Sequence, residues 1–153
     1  MTGTDTSILL AYDGSDHAKR AIEVAGKRLA PGGRALVATV YEPLGRVPFV
    51  SVTGLPMDEE TADTVFGAAH EAAQRVAEEG ASLARAAGFD AEALAYEGGP
   101  AWSAISQLAD ERNVDLIVIG SRGLSGVKHV VLGSVAAAVA QHSRRSILIV
   151  HDR

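Results

Sequence analysis

Residues 115–134 read DLIVIGSRGLSGVKHVVLGS, and the order of residue types in that stretch decides the fold class. Leu116, Ile117, Val118 and Ile119 form an unbroken apolar run rich in β-branched residues. It lacks the alternation of a half-wet strand, so it reads as a strand covered on both faces. The run stops at Gly120-Ser121-Arg122-Gly123-Leu124-Ser125-Gly126, and six residues later Gly133-Ser134 opens a helical, alanine-rich pattern. Strand, glycine-rich loop and helix in that order make the first part of a parallel βαβ crossover.

Working outward, similar apolar runs stand at 7–12, 35–41 and 146–150, while 90–96 (DAEALAY) alternates as an edge strand with one wet face would. Helical patterns separate them. The first begins at Ser15 or Asp16, either of which can accept first-turn amide hydrogens, and stops at Pro31-Gly32-Gly33, with Ala18, Ile22, Ala25 and Leu29 inward. The second runs from about 61 to 87 with Val65, Ala69, Ala72, Val76 and Leu83 at helical spacing, interrupted in propensity by Gly67 and Gly80. The third starts at Pro100 and turns Trp102, Ile105, Leu108 and Ala109 to the core; the fourth carries Val135, Ala138 and Val139 inward. Residues 42–60 hold three prolines and two glycines without a period and read as a long loop of the kind that serves as a lid or stays disordered.

Strands alternating with helices call for an α/β fold, a doubly wound, mostly parallel five-stranded sheet with helices on both faces. Right-handed crossovers give the strand order 3-2-1-4-5, which makes strands one and four neighbours at the switch point. Ligands of such sheets bind outside the carboxyl ends of the strands at that crevice. Here it is framed by the Asp13-Gly14-Ser15 loop and the loop from Gly120 to Ser134.

Phosphate suits that second loop. Glycines let backbone amides approach an anion and adopt positive φ, a helix N-terminus adds unpaired amides, and Ser134 can donate its hydroxyl. The plain alternative is a glycine-rich turn that only reverses the chain. Neither GxxxxGK[ST] nor a GxGxxG after the first strand occurs, which disfavours a P-loop NTPase and a dinucleotide dehydrogenase. Charge is unevenly spread: from Gly120 onward five basic residues face one acid, whereas the preceding residues carry nine basic against eighteen acidic ones. That local surplus is compatible with a small anionic ligand or with a solvated face. The net charge of −5 disfavours non-specific binding to nucleic acid or anionic membrane.

The 153 residues, 47% hydrophobic and 22% charged, suit a single folded domain over 1–153. Without cysteine there is neither a disulfide nor a thiolate metal site. The start of the chain has no basic leader, and its apolar run is too short for a signal peptide or a membrane span, so a cytoplasmic location is expected. His17, His70, His129, His142 and His151 show no paired ligand spacing, and no protein metal site is expected.

Gly120-x2-Gly123-x9-Gly133-Ser134 resembles the ATP-binding motif of the universal stress protein family. The likeness extends to the opening Ile8-Leu9-Leu10-Ala11-Tyr12-Asp13-Gly14-Ser15 and the closing Ile147-Leu148-Ile149-Val150. It implies an adenine-nucleotide alpha-hydrolase-like sheet with ATP, accompanied by Mg2+ through its phosphates, lying across the switch point. It further implies that Asp13 meets the adenosine end, that the backbone of Val40 reads the adenine edge, and that Gly120, Arg122, Gly123, Gly133, Ser134 and Val135 hold ribose and phosphates. Ala11 and Ser121 complete the candidate set. Asp13 also has a reading as a turn or capping residue, and Val40 as strand core.

Rapid phosphoryl transfer needs a residue that orients the nucleophile, and none stands out, so a nucleotide-dependent stress-response switch with at most slow ATP hydrolysis is expected. Cyclic AMP or another adenine nucleotide is the alternative ligand. An adenylating or nucleotidyl-transferring enzyme would carry HxGH or SGGxDS after the first strand, where this chain has Asp13-Gly14-Ser15-Asp16-His17. The last strand, apolar and at a sheet edge, invites a homodimer through Ile147 to Val150, as the resemblance also implies.

Overall fold

The computed structural model describes residues 6–29, 31–42, 58–124 and 131–152. Strand and helix alternate along them: β1 (Ser7–Ala11), α1 (Asp16–Arg28), β2 (Arg34–Tyr41), α2 (Glu59–Ala86), β3 (Asp90–Glu97), α3 (Ala101–Glu111), β4 (Leu116–Gly120), α4 (Ser134–His142) and β5 (Ser146–Val150). The strands form one parallel sheet in the order β3-β2-β1-β4-β5. This is the expected doubly wound order.

Alternation along each strand sorts the core into two layers. Ile8, Leu10, Val37 and Val118 pack with Ala18, Ile22 and Ala25 of α1 and Ala81 and Ala84 of α2. Leu9, Leu36, Ile117 and Ile119 point the other way, onto Ile105 and Leu108 of α3 and Val139 of α4. Fully burying a leucine or isoleucine side chain contributes about 1.5–3 kcal/mol, so the continuous apolar runs are what hold helices to both faces.

The second helix departs from the sequence reading in two ways. It starts at Glu59, because the Asp58 side chain accepts the Thr61 amide at 2.7 Å and Glu59 and Glu60 suit the positive helix end. The expected loop over 42–60 therefore ends earlier, and its residues 43–57 lie outside those described. Gly67 and Gly80 leave the helix continuous, and its buried stripe is Ala62, Ala73, Ala77, Gly80, Ala81 and Ala84. Ala72 is exposed, Val65, Ala69 and Val76 are half-buried, and Leu83 is exposed. Small residues face the sheet because the helix lies close to it: a Cβ on Gly80 would sit 2.6 Å from the Tyr12 ring and 2.8 Å from Val37.

Trp102 is half-buried rather than fully in the core, its ring 4.6 Å from that of His142. The free edge of β3 is engaged by side chains. Gln74 Oε1 accepts the Ala95 amide at 3.0 Å and Arg85 Nε donates to the Ala91 carbonyl at 3.1 Å, so side chains of α2 cap the rim of β3. Among the described residues no helix is long and apolar enough to cross a membrane.

Candidate functional site

Where β1 and β4 lie side by side, their following segments part in opposite directions, to α1 on one face and α4 on the other. The gap is a cleft of about 380 Å³ at the carboxyl end of the sheet, within the size range of small-molecule sites. All ten residues singled out in the sequence line it. Ala11 and Asp13 come from the end of β1, Val40 from β2, Gly120, Ser121, Arg122 and Gly123 from the end of β4, and Gly133, Ser134 and Val135 from the start of α4. Lys128 and His129 lie outside the described residues.

Sequence reading passed over Tyr12, Ala18, Ala38, Ala101, Ile105, Ile119, Leu124 and Ala136, which line the same cleft. Period-two alternation from Val40 points to Ala38, and the i, i+4 step relates Ala101 to Ile105. That α3 reaches the cleft at all is a matter of tertiary placement.

The described glycines after β4 do not take the positive φ expected of them. Among the described residues, glycines with positive φ are Gly14, Gly32 and Gly88, none of them in the loop after β4. Gly120, Gly123 and Gly133 answer to crowding instead. A Cβ on Gly120 would lie 3.0 Å from the His17 carbonyl, one on Gly123 2.8 Å from Asp13 Oδ2, and one on Gly133 3.1 Å from the Ser121 carbonyl oxygen. The Gly133 amide donates to that same Ser121 oxygen at 2.6 Å, bringing the start of α4 back beside β4.

Two features of the cleft suit an anion. First, among the described residues no side chain caps α4, and Ala137 is the residue whose amide reaches the Gly133 carbonyl. The preceding amides of Ser134, Val135 and Ala136 thus stand at the open positive end of the helix. The N-terminus of α1, by contrast, is closed by Ser15 Oγ, which accepts the Ala18 amide at 3.1 Å. Second, Arg122 Nε is buried and, among the described residues, has no hydrogen-bond partner. A buried cationic donor left unpaired is costly, so the place calls for an acceptor.

At the other end the cleft is apolar, walled by Ala11, Ala38, Ile105 and Ile119. The Ala38 carbonyl accepts the Tyr12 amide and the Tyr41 carbonyl accepts the Gly98 amide. By alternation the N–H and C=O of Val40 face the β1 side, and β1 ends at Ala11, opposite Ala38. A main-chain donor and acceptor therefore look onto the space beyond that strand. Asp13 is held in a turn, with Oδ1 accepting the Ser15 amide at 2.9 Å and Oδ2 the Leu124 amide at 3.2 Å.

Beneath the cleft, burial and then the 2.5 Å hydrogen bond to Glu79 push the Tyr12 phenol well above its usual range. The hydrogen bonds from Tyr12 and then Lys19 hold the Glu79 carboxyl below its own. Among the described residues no cluster of three His, Asp or Glu side chains could hold a metal ion.

Comparison with known proteins places this architecture. The profile of the universal stress protein family matches residues 6–151. A Thermus aquaticus relative, "Universal stress protein in QAH/OAS sulfhydrylase 3'region", is 41% identical over 145 residues, covering 94% of this chain and 97% of the relative. A universal stress protein crystallised in complex with cAMP superposes with a TM-score of 0.64 at 31% identity over 97% of this chain and 98% of that one. The hypothetical protein MJ0577 of Methanocaldococcus jannaschii shares the fold, with a TM-score of 0.78 at 23% identity over 99% of each chain. On its sequence and on its fold, the chain belongs to the universal stress protein family.

Proposed function

We propose that the chain binds an adenine nucleotide, ATP in the first instance, across the cleft and acts as a nucleotide-dependent switch in the stress response. The observation that carries this reading is the N-terminus of α4, which among the described residues has no side-chain cap, opening onto the same cleft that Arg122 lines, with Arg122 Nε buried and, among the described residues, without a hydrogen-bond partner. Phosphates would lie there, against Gly123, Gly133, Ser134 and Val135, with Mg2+ held by the phosphates themselves. The base would lie between the apolar walls, its polar edge against the main chain of Val40. Asp13 and Ala11 border the sugar between them, and Gly120 and Ser121 form the floor. The Asp13 carboxylate of the cleft is already engaged by two amides, and slow turnover at most belongs to the same proposal.

The cAMP complex of a relative 31% identical to this chain favours a second ligand of the same class. A cyclic phosphate needs one anion position, which Arg122 and the α4 amides would supply. Isothermal titration of the protein with Mg-ATP, and separately with cAMP, tests both. Micromolar binding that Arg122→Gln weakens about tenfold or more is the expected result, that being the size of one lost charge-assisted hydrogen bond. No heat with any adenine nucleotide overturns the reading.

A cytoplasmic homodimer joined through Ile147 to Val150 of β5 belongs to the same proposal. β5 is an outer strand of the sheet, with Ile147, Leu148 and Ile149 half-buried. Sedimentation as a monomer at micromolar concentration would count against it.

A further inference from the structure

We propose that Trp102 and His142 are positioning residues of the cleft, a strut between α3 and α4 that holds the wall formed by Ala101 and Ile105. Their ring centroids lie 4.6 Å apart with the planes tilted by 31°, within the range in which aromatic pairs attract beyond the area they bury. Trp102 belongs to the first turn of α3 and His142 to the last turn of α4. The indole is half-buried against the core of that face of the sheet, and His142 is exposed.

The two ends of α3 are fastened differently. At its C-terminal end the Arg145 guanidinium reaches Asp110 Oδ1 at 2.9 Å, Asn113 Oδ1 at 3.1 Å and the Val114 carbonyl at 3.0 Å. At its cleft end α3 follows Pro100 with no side-chain cap among the described residues, and there the ring stack ties the first turn to α4. The helix on the other side of the stack is short: α4 spans nine residues and buries Ala136 and Val139. Both helices supply the cleft, Ala101 and Ile105 from α3, Val135 and Ala136 from α4. The strut thus fixes how far apart these side chains stand. A binding wall works when the residues behind it hold it to within about half an ångström, and the stack lies directly behind Ala101.

The strut stands on the ring geometry; its effect on affinity rests on the nucleotide reading above. His142 is exposed and alanine is the better helix former, so His142→Ala should fold, which a thermal melt checks. In the ligand-free protein, Trp102, the sole tryptophan of the chain, reports the stack by its emission, and methyl relaxation at Ala101 and Ile105 reports the order of the wall. His142→Ala should shift the emission to the red and lower the methyl order at both wall residues. His142→Phe, which puts a ring back, should return both towards wild type. Emission and methyl order unchanged in His142→Ala overturn the strut.

Mg-ATP is then titrated into these proteins, into Trp102→Ala and into the double variant with both alanines. His142→Ala should weaken binding about threefold to tenfold, the worth of one aromatic pair, with His142→Phe within about twofold of wild type. The double variant should lose no more than Trp102→Ala alone, as two halves of one contact must. Wild-type affinity in His142→Ala, equal losses in His142→Ala and His142→Phe, or losses that multiply would each mean that the rings only cover one another, and the proposal is wrong. Absence of ATP binding by wild type would sink the nucleotide reading, and emission and methyl order would still decide the strut.

Discussion

Tyr12 shows how much a single residue carries at the foot of the cleft. Its amide continues the β1–β2 ladder to Ala38, its carbonyl accepts Thr39 Oγ1 at 2.8 Å, its ring fills the space left by Gly80, and its hydroxyl reaches Glu79 on α2. The protonation linkage has opposite signs at the two ends of the pH scale. The phenol is raised above its usual 10.0 in the folded protein, so above that pH the unfolded chain releases its proton first and stability falls. The Glu79 carboxyl is lowered from 4.5, so its contribution is present above that pH and is lost as the pH falls through the folded value. Thermal melts across pH 3–11 should therefore show a decline at each end, setting in above 10.0 on the alkaline side and below 4.5 on the acid side. Tyr12→Phe flattens the alkaline decline, Glu79→Gln the acid one. Slopes unchanged in both variants would refute the linkage.

At the scale of elements, α2 contains two glycines of opposite meaning. Gly67 has nothing within 4 Å of the position a Cβ would take, so it costs helix propensity and returns no packing. Gly67→Ala should stabilise the protein by about 0.5–1 kcal/mol, and chemical denaturation reads it. Gly80 gains the same propensity on becoming alanine, but the new methyl must enter space held by the Tyr12 ring and Val37. Overpacking of this kind costs about 1–3 kcal/mol, so the net effect of Gly80→Ala should be destabilising. The rule that glycine weakens a helix was legible in the sequence, and it misjudged α2 because it prices the helix alone. Bulky residues at helical spacing likewise suggested a stripe through Val76 and Leu83, whereas close approach to the sheet selects the alanine stripe beside it.

At the scale of the whole molecule, side chains of α2 decide what the outer rim of β3 can do. Gln74 and Arg85 occupy main-chain groups on the outer rim of β3, so that edge is closed to a neighbouring strand. If only β5 is free to pair, a two-fold dimer terminates assembly, because each copy has one sticky edge. Opening the second edge should let copies chain together. The Gln74→Ala, Arg85→Ala double variant is expected to form species larger than the wild-type assembly in sedimentation runs, while Gln74→Glu with Arg85→Lys, which keeps an acceptor and a cation, stays closer to wild type. Identical size distributions for all three proteins would show that α2 does not guard the edge.

Local pattern was enough for the element order, the strand order and the two loops that frame the cleft, because buried strands demand continuous apolar runs and chain crossovers have one hand; the individual cleft residues, Val40 above all, came from the likeness to the family. The position of the cleft followed for the same reason: the expected strand order makes strands one and four neighbours, and the loops that leave them must part there. The reasons behind those residues were set in three dimensions. A Cβ on Gly123 would meet a carboxylate 110 residues earlier in the chain, Gly120 has the His17 carbonyl against it, and α2 buries small residues because Tyr12 and Val37 lie beneath it. Such contacts join parts of the chain that no local period relates, so only packing of the finished sheet decides them.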